Sequence, residues 1–306
     1  MTNAVNPRVD MVFKKIFGVD ENKDLTISLI NAIVAPEDQI SEITLLNPYN
    51  PKSFANDKLS ILDIKAKAQD GKRFNIEIQV SDVADYDKRA LYYWAKLYTE
   101  QLKSAEHYGK LSKAIGIHIL NFTSLPDAKK YHNIFHLKEK EENFHYFSDL
   151  EIHTIELNKF DAGLPKPLNE FVAKLKTSLD IWSSFLTRNN LLNADALPPE
   201  INNPELKKAL GILEHISFNE DERNAYEDRL KWLRTEMSTL KKRFNDGKAE
   251  GKAEGLAEGL AEGETKGQNK KSIEIAKKMR SDGLDLSIIK KYTGLSDKAI
   301  VELDEV

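Results

Sequence analysis

LDIKAKAQDGKRFNIEIQV, residues 62–80, alternates apolar and polar side chains on both sides of a Gln69-Asp70-Gly71 centre. A period of two broken by a turn signal is the pattern of two half-buried strands joined as a hairpin. Leu62, Ile64, Ala66 and Ala68 form the apolar face of the first strand, and Phe74, Ile76, Ile78 and Val80 that of the second. Asp63, Lys65 and Lys67 fall on the other face, with Asn75, Glu77 and Gln79. A two-residue Asp70-Gly71 turn would pair position 63 with 78 and set the two apolar rows on opposite sides of the sheet. A three-residue loop with Gly71 left-handed pairs 68 with 72, and hence 63 with 77, which restores one apolar face. Asp63 and Glu77 then become cross-strand neighbours.

Upstream of the hairpin, Val9, Phe13, Ile16 and Phe17 recur at helical spacing, with Asp10 and Lys14 beside that stripe. A second helix is expected over residues 23 to 34, stopping before Pro36, which cannot continue it. Downstream, residues 86 to 107 read as a long helix with Leu91, Trp94, Leu97, Tyr98 and Leu102 inward. Residues 114 to 120 read as a fully buried strand, and residues 133 to 137 and 150 to 156 as further strands. Residues 165 to 245 look mainly helical. Glycine then stands at every fourth position from Gly247 to Gly267, with Ala-Glu between most of them. Four residues advance about 400° on a helix, so the glycines follow one drifting face, yet each costs about 1 kcal/mol against alanine. A homo-oligomerising helix and a flexible spacer both fit. The tail has short helices near residues 286 to 292 and 297 to 303, with Ser296 as N-cap, in helix-turn-helix proportions beside Lys270, Lys271, Lys277, Lys278 and Arg280.

Composition narrows the chemistry. The chain has 306 residues and no cysteine, which removes disulfides, thiolate metal sites and thiol nucleophiles. Any metal must sit on oxygen or imidazole. The apolar run at residues 114 to 120 is too short to span a bilayer and the polar start lacks a signal core, so a cytoplasmic address and no membrane partner are expected. The net charge of -4 argues against coating nucleic acid by bulk electrostatics. Local basic groups such as Lys14, Lys65 and Arg89 remain to meet phosphates. His132 and His136 lie four apart in a segment that looks extended, without the acid of a zinc-protease motif.

Two carboxylates held side by side and partly desolvated repel unless one is protonated or a cation lies between them. A divalent ion answers this, and magnesium suits it because it takes a few carboxylates together with waters and phosphate oxygens. The bland alternative is a polar strand face turned to solvent.

The series Asp10-x-x-Phe13-Lys14-x-x-Phe17, Leu62-Asp63, Ile76-Glu77-Ile78-Gln79 and Arg89-x-x-x-Tyr93 resembles the recombination-promoting nuclease and transposase family, Rpn, of the PD-(D/E)xK superfamily. The resemblance covers about residues 7 to 160. It implies an α/β fold: a restriction-endonuclease-like core with a mixed sheet flanked by helices, over residues 1–160. A helical extension (161–245), the glycine repeat (246–270) and a small helical tail (271–306) would follow. It implies metal-dependent DNA cleavage, with Mg2+ or Mn2+, promoting recombination or transposition-like transfer. Carried over, Asp10, Asp63 and Glu77 are metal ligands and Gln79 orients water or phosphate. Gln79 stands where the superfamily has lysine; the Glu-x-Gln form is common among Rpn-like sequences, but a neutral amide cannot offset developing negative charge. Lys65 shares the face of Asp63 and is read as the replacement charge, a phosphate contact or a solvated lysine. Lys14, Arg89 and Tyr93 are candidates for touching DNA. Two other readings are a catalytically silent nuclease-like module that binds DNA or protein, and a regulator whose tail reads DNA.

Overall fold

The computed structural model describes residues 5–49, 63–82 and 85–301. The chain divides into two compact units, Met1–Glu236 and Met237–Val306.

In the first unit, helices α1 (Asp10–Phe17) and α2 (Lys23–Ile33) precede β1 (Ile43–Leu45) and the hairpin β2 (Ile64–Ala68) and β3 (Arg73–Gln79). Then come α3 (Tyr86–Thr99), β4 (Ala114–Leu120), β5 (His132–His136) and β6 (Leu150–Glu156). Helices α4 (Leu157–Ala162), α5 (Leu168–Val172), α6 (Ser178–Arg188) and α7 (Pro204–His215) follow. The six strands form one mixed sheet in the order β1-β2-β3-β4-β6-β5, with β3, β4 and β6 parallel and the outer pairings antiparallel.

The hairpin has the expected register. Ile64 pairs with Ile76 and Ala66 with Phe74, Ala68 N donates to Lys72 O at 2.9 Å, and Gly71 N donates to Ala68 O at 3.1 Å. Gly71 is left-handed, with φ +94°. An added Cβ there would stand 2.7 Å from Ser112 Oγ. Gly71→Ala is therefore expected to destabilise the fold by at least ~1–2 kcal/mol, the cost of a left-handed alanine, in equilibrium urea unfolding. An unchanged midpoint would show that the loop does not depend on this conformation. Leu62, the first residue of the expected apolar face, lies outside the described residues.

Ile64, Ala66, Phe74, Ile76, Ile78, Ile115, Ile117 and Ile119 make one apolar sheet face, and α1, α2, α6 and α7 close over it in a single core. Phe17 sits at its centre, with Phe13, Trp182 and Phe185 within ring-contact distance. The opposite face is covered by α3. Its inward residues are Tyr86, Ala90, Trp94 and Leu97, and Trp94 Nε1 donates to Ala114 O at 2.8 Å. Here the helix departs from expectation: it stops at Thr99, Leu91 is 52% exposed, and Leu102 lies beyond the end. Leu91 is turned about 100° from Ala90, so the two cannot both face the sheet. After Thr99, the Gln101 amide clasps the Ser112 backbone in both directions at 2.9 Å and turns the chain toward β4.

Helix α8 (Glu220–Ser281) runs through the whole glycine repeat. A Cβ on any glycine from Gly247 to Gly267 would meet nothing within 4 Å. The surrounding Ala, Glu and Lys are good helix formers and offset the glycine cost. In the second unit, Ala276, Ile289 and Ile300 form a small core between α8, α9 (Leu286–Thr293) and α10 (Asp297–Val301). Gly294 is left-handed at the end of α9, and Ser296 Oγ accepts from Ala299 N at 3.2 Å as the expected cap.

Candidate metal and phosphate site

The hairpin register ends with Ile64 opposite Ile76, and the adjoining Asp63 lies near enough to Glu77 for its charge to raise the Glu77 pKa. Glu77 lies on the sheet face covered by α3, where Arg89 reaches it, while Ile64 and Ile76 point into the main core. Asn47 holds Asp63 in place: its Nδ2 donates to the Asp63 carbonyl at 3.1 Å and to Oδ1 at 3.4 Å, and its Oδ1 accepts from Lys65 N at 2.7 Å. Glu77 is 6% exposed. One carboxylate oxygen accepts from the Arg89 guanidinium, while the other is buried with no hydrogen-bond partner, 3.8 Å from His118 Nδ1. Burial raises the Glu77 pKa and the Asp63 charge raises it further, against the pull of Arg89. An orphaned carboxylate oxygen beside a second acid fits a cation, and Mg2+ needs only one or two protein carboxylates.

Asp10 is buried and paired with Arg229 of α8 at 3.0 Å, and its Oδ1 accepts from Met11 N. Among the described residues no group of three His, Asp or Glu side chains is assembled to hold a metal ion. The structure thus brings Asp63 and Glu77 together and commits Asp10 to an arginine. Lys14 is 1% exposed on α1. Burial lowers its pKa to about 8, opposed by Asp63 and aided by Lys65. Lys65 is half-buried and paired with Glu100 at 3.4 Å. The Arg89 guanidinium lies over the Tyr93 ring at 5.4 Å, so those two act as one unit. Gln79 is buried, and its amide nitrogen donates to Ser81 O at 3.2 Å.

Sequence reading missed Asn47, His118 and Arg229. His118 interrupts an otherwise apolar strand, and that was its one signal. Parallel pairing of β3 with β4 sets it beside Glu77, where its Nδ1 shares a 2.9 Å hydrogen bond with the Tyr86 hydroxyl. On β5 and β6, His132 Nε2 and His153 Nδ1 are 2.9 Å apart, and His153 Nε2 is 2.7 Å from Glu151. Burial lowers the pKa of both His118 and His132 to about 4. A base whose folded pKa is lowered is protonated first in the unfolded chain, so stability is lost as pH falls from 6.5 towards 4. Denaturant midpoints are expected to fall across that window, with up to two extra protons on the unfolded chain. A stability profile flat down to about pH 5 would contradict neutral burial of these rings.

A mixed sheet with helices on both faces and paired acids on a hairpin defines a PD-(D/E)XK-like α/β fold. The chain belongs to the PD-(D/E)XK nuclease family transposases, whose family model matches residues 7–243. No curated protein and no solved structure matches it.

Proposed function

We propose that this chain is a divalent-metal-dependent DNA endonuclease, with Mg2+ or Mn2+ as the ion, that promotes recombination or transposition-like transfer. The observation that carries the reading is the buried, unpartnered Glu77 carboxylate oxygen with the Asp63 charge acting on the same group. Asp63 and Glu77 hold the ion, and Asp10 stands outside the set because Arg229 occupies it. When bound, the ion supplies polarisation of the scissile phosphate and eases deprotonation of the attacking water. In the hydrolysis, the water oxygen forms a bond to phosphorus, the bond from phosphorus to a sugar oxygen breaks, and that oxygen takes up a proton. Asn47 fixes Asp63, and Arg89 fixes Glu77 while sharing its charge. The Gln79 amide nitrogen is engaged by Ser81, which leaves its carbonyl oxygen to accept from the attacking water. Lys65 and the Arg89–Tyr93 unit border the site and meet flanking phosphates. Nicking of supercoiled plasmid in Mg2+ by wild type, abolished by chelator and by Asp63→Ala, tests the reading. An inert wild type that still binds DNA would favour a silent binding module instead.

A further inference from the structure

We propose that the exposed face of α3 beside Glu77 holds unpaired bases through Tyr92, so that the substrate is single-stranded or splayed DNA rather than an intact duplex. This rests on the nuclease reading above and names the substrate class of the same site. Flat groups lead outward from Glu77, each in contact with the next. The Arg89 guanidinium bonds the Glu77 carboxylate and lies over the Tyr93 ring at 5.4 Å, and the Tyr92 ring meets Tyr93 edge-on with centroids 5.6 Å apart. Tyr92 is 63% exposed, and Leu91 beside it is 52% exposed. Other tyrosines of this helix are tethered: the Tyr86 hydroxyl shares a hydrogen bond with His118 and that of Tyr98 donates to Asp149. The hydroxyls of Tyr92 and Tyr93 have no hydrogen-bond partner among the described residues. An aromatic ring left at the surface without a tether, at the end of a path to the acids, is a platform for another flat group.

The charge on this face favours bases over backbone. Each basic side chain of α3 already faces an acid: Lys88 pairs with Asp85 at 2.6 Å, Arg89 with Glu77, and Lys96 with Glu100 at 3.8 Å. A duplex is held mainly through its phosphates by cations that are free to neutralise them, and compensated cations do this weakly. The bases of a duplex are in turn stacked on their neighbours, and drawing one out costs that stacking. An unpaired base has a free π-face, which any exposed aromatic ring can take up without reading its sequence. Tyr92 therefore discriminates in favour of strands that are already open.

The test uses the full chain and oligonucleotides of one sequence presented as a duplex, a single strand and a fork with unpaired arms. Affinities are read by fluorescence anisotropy in Mg2+ with Asp63→Asn in every protein, so that no strand is cut during the measurement. The fork and the single strand are expected to bind at least about tenfold more tightly than the duplex. Adding Tyr92→Ala should weaken the fork by about tenfold or more and the duplex by less than about twofold, as for loss of one base–aromatic stack. Tyr92→Phe, which keeps the ring, should retain the preference. With Asp63 restored, single-turnover cleavage should follow the same order, and supercoiled plasmid remains a substrate because its torsion helps open the duplex. A duplex bound as tightly as the fork, or Tyr92→Ala weakening both alike, overturns the inference and leaves the nuclease reading to the plasmid assay. A fork bound through Tyr92 by a wild type that cuts none of these substrates supports the inference and removes the cleavage reading.

Discussion

Glu77→Gln is expected to lower the rate of Mg2+-dependent plasmid cleavage by ~10³-fold or more, while the melting temperature stays level or rises. Metal stabilisation of the transition state is worth several kcal/mol, and each ~1.4 kcal/mol is tenfold in rate. The stability side has the opposite sign. Glu77 is buried, its pKa is raised by that burial, and Asp63 repels it. A neutral amide of the same shape removes both penalties. The loss is one ion pair to Arg89, whose side chain is 40% exposed and can turn to water. Asp63→Asn should behave likewise, since Asn47 can still bond its backbone carbonyl. Activity and stability moving in opposite directions is the mark of a site that holds strain for function. If both fell together, Glu77 would be a packing residue and the metal site would lie elsewhere. Thermal melts and single-turnover rates on the same preparation decide it.

The hairpin was legible because its constraints are local. Period-two alternation on each side of Gly71, and the need for one apolar face, leave the three-residue loop as the consistent choice, and that loop brings Asp63 to Glu77. What was not legible depends on distant pairing. Nothing near Asp10 in sequence indicates Arg229, and nothing near Glu77 indicates that His118 would lie beside it in a parallel pair. Helix α1 shows why the burial of Lys14 is not legible in the sequence. Its strongest apolar stripe implies one buried face, yet Asp10, Met11, Val12, Phe13, Lys14, Ile16 and Phe17 are all buried. A helix closed in on nearly every side carries its polar residues inward, and periodicity alone cannot report that. On α3, the same method chose Leu91, one position from Ala90, because leucine outweighs alanine in any apolar count.

Arg229→Met should destabilise the fold by up to ~3–5 kcal/mol near neutral pH, the range for stranding one member of a buried ion pair. Asp10 is 5% exposed and would lose its charged partner. The cost has a ceiling set by protonation. Burial already raises the Asp10 pKa, and Arg229 is the main group that lowers it, so the variant moves it higher still. A carboxyl with a raised folded pKa contributes stability below its unfolded value that is lost as pH rises through the folded value. The gap between Arg229→Met and wild type should therefore shrink as pH falls and widen as it rises. Asp10→Asn in the Arg229→Met background should recover most of the loss, because no buried charge remains to be compensated. A double-mutant cycle from urea unfolding reads this coupling directly. Strong coupling with cleavage retained in Asp10→Asn marks Asp10 as an anchor for α8. Weak coupling together with Mg2+ affinity lost in Asp10→Asn would return it to the metal set, with Arg229 standing where the ion belongs.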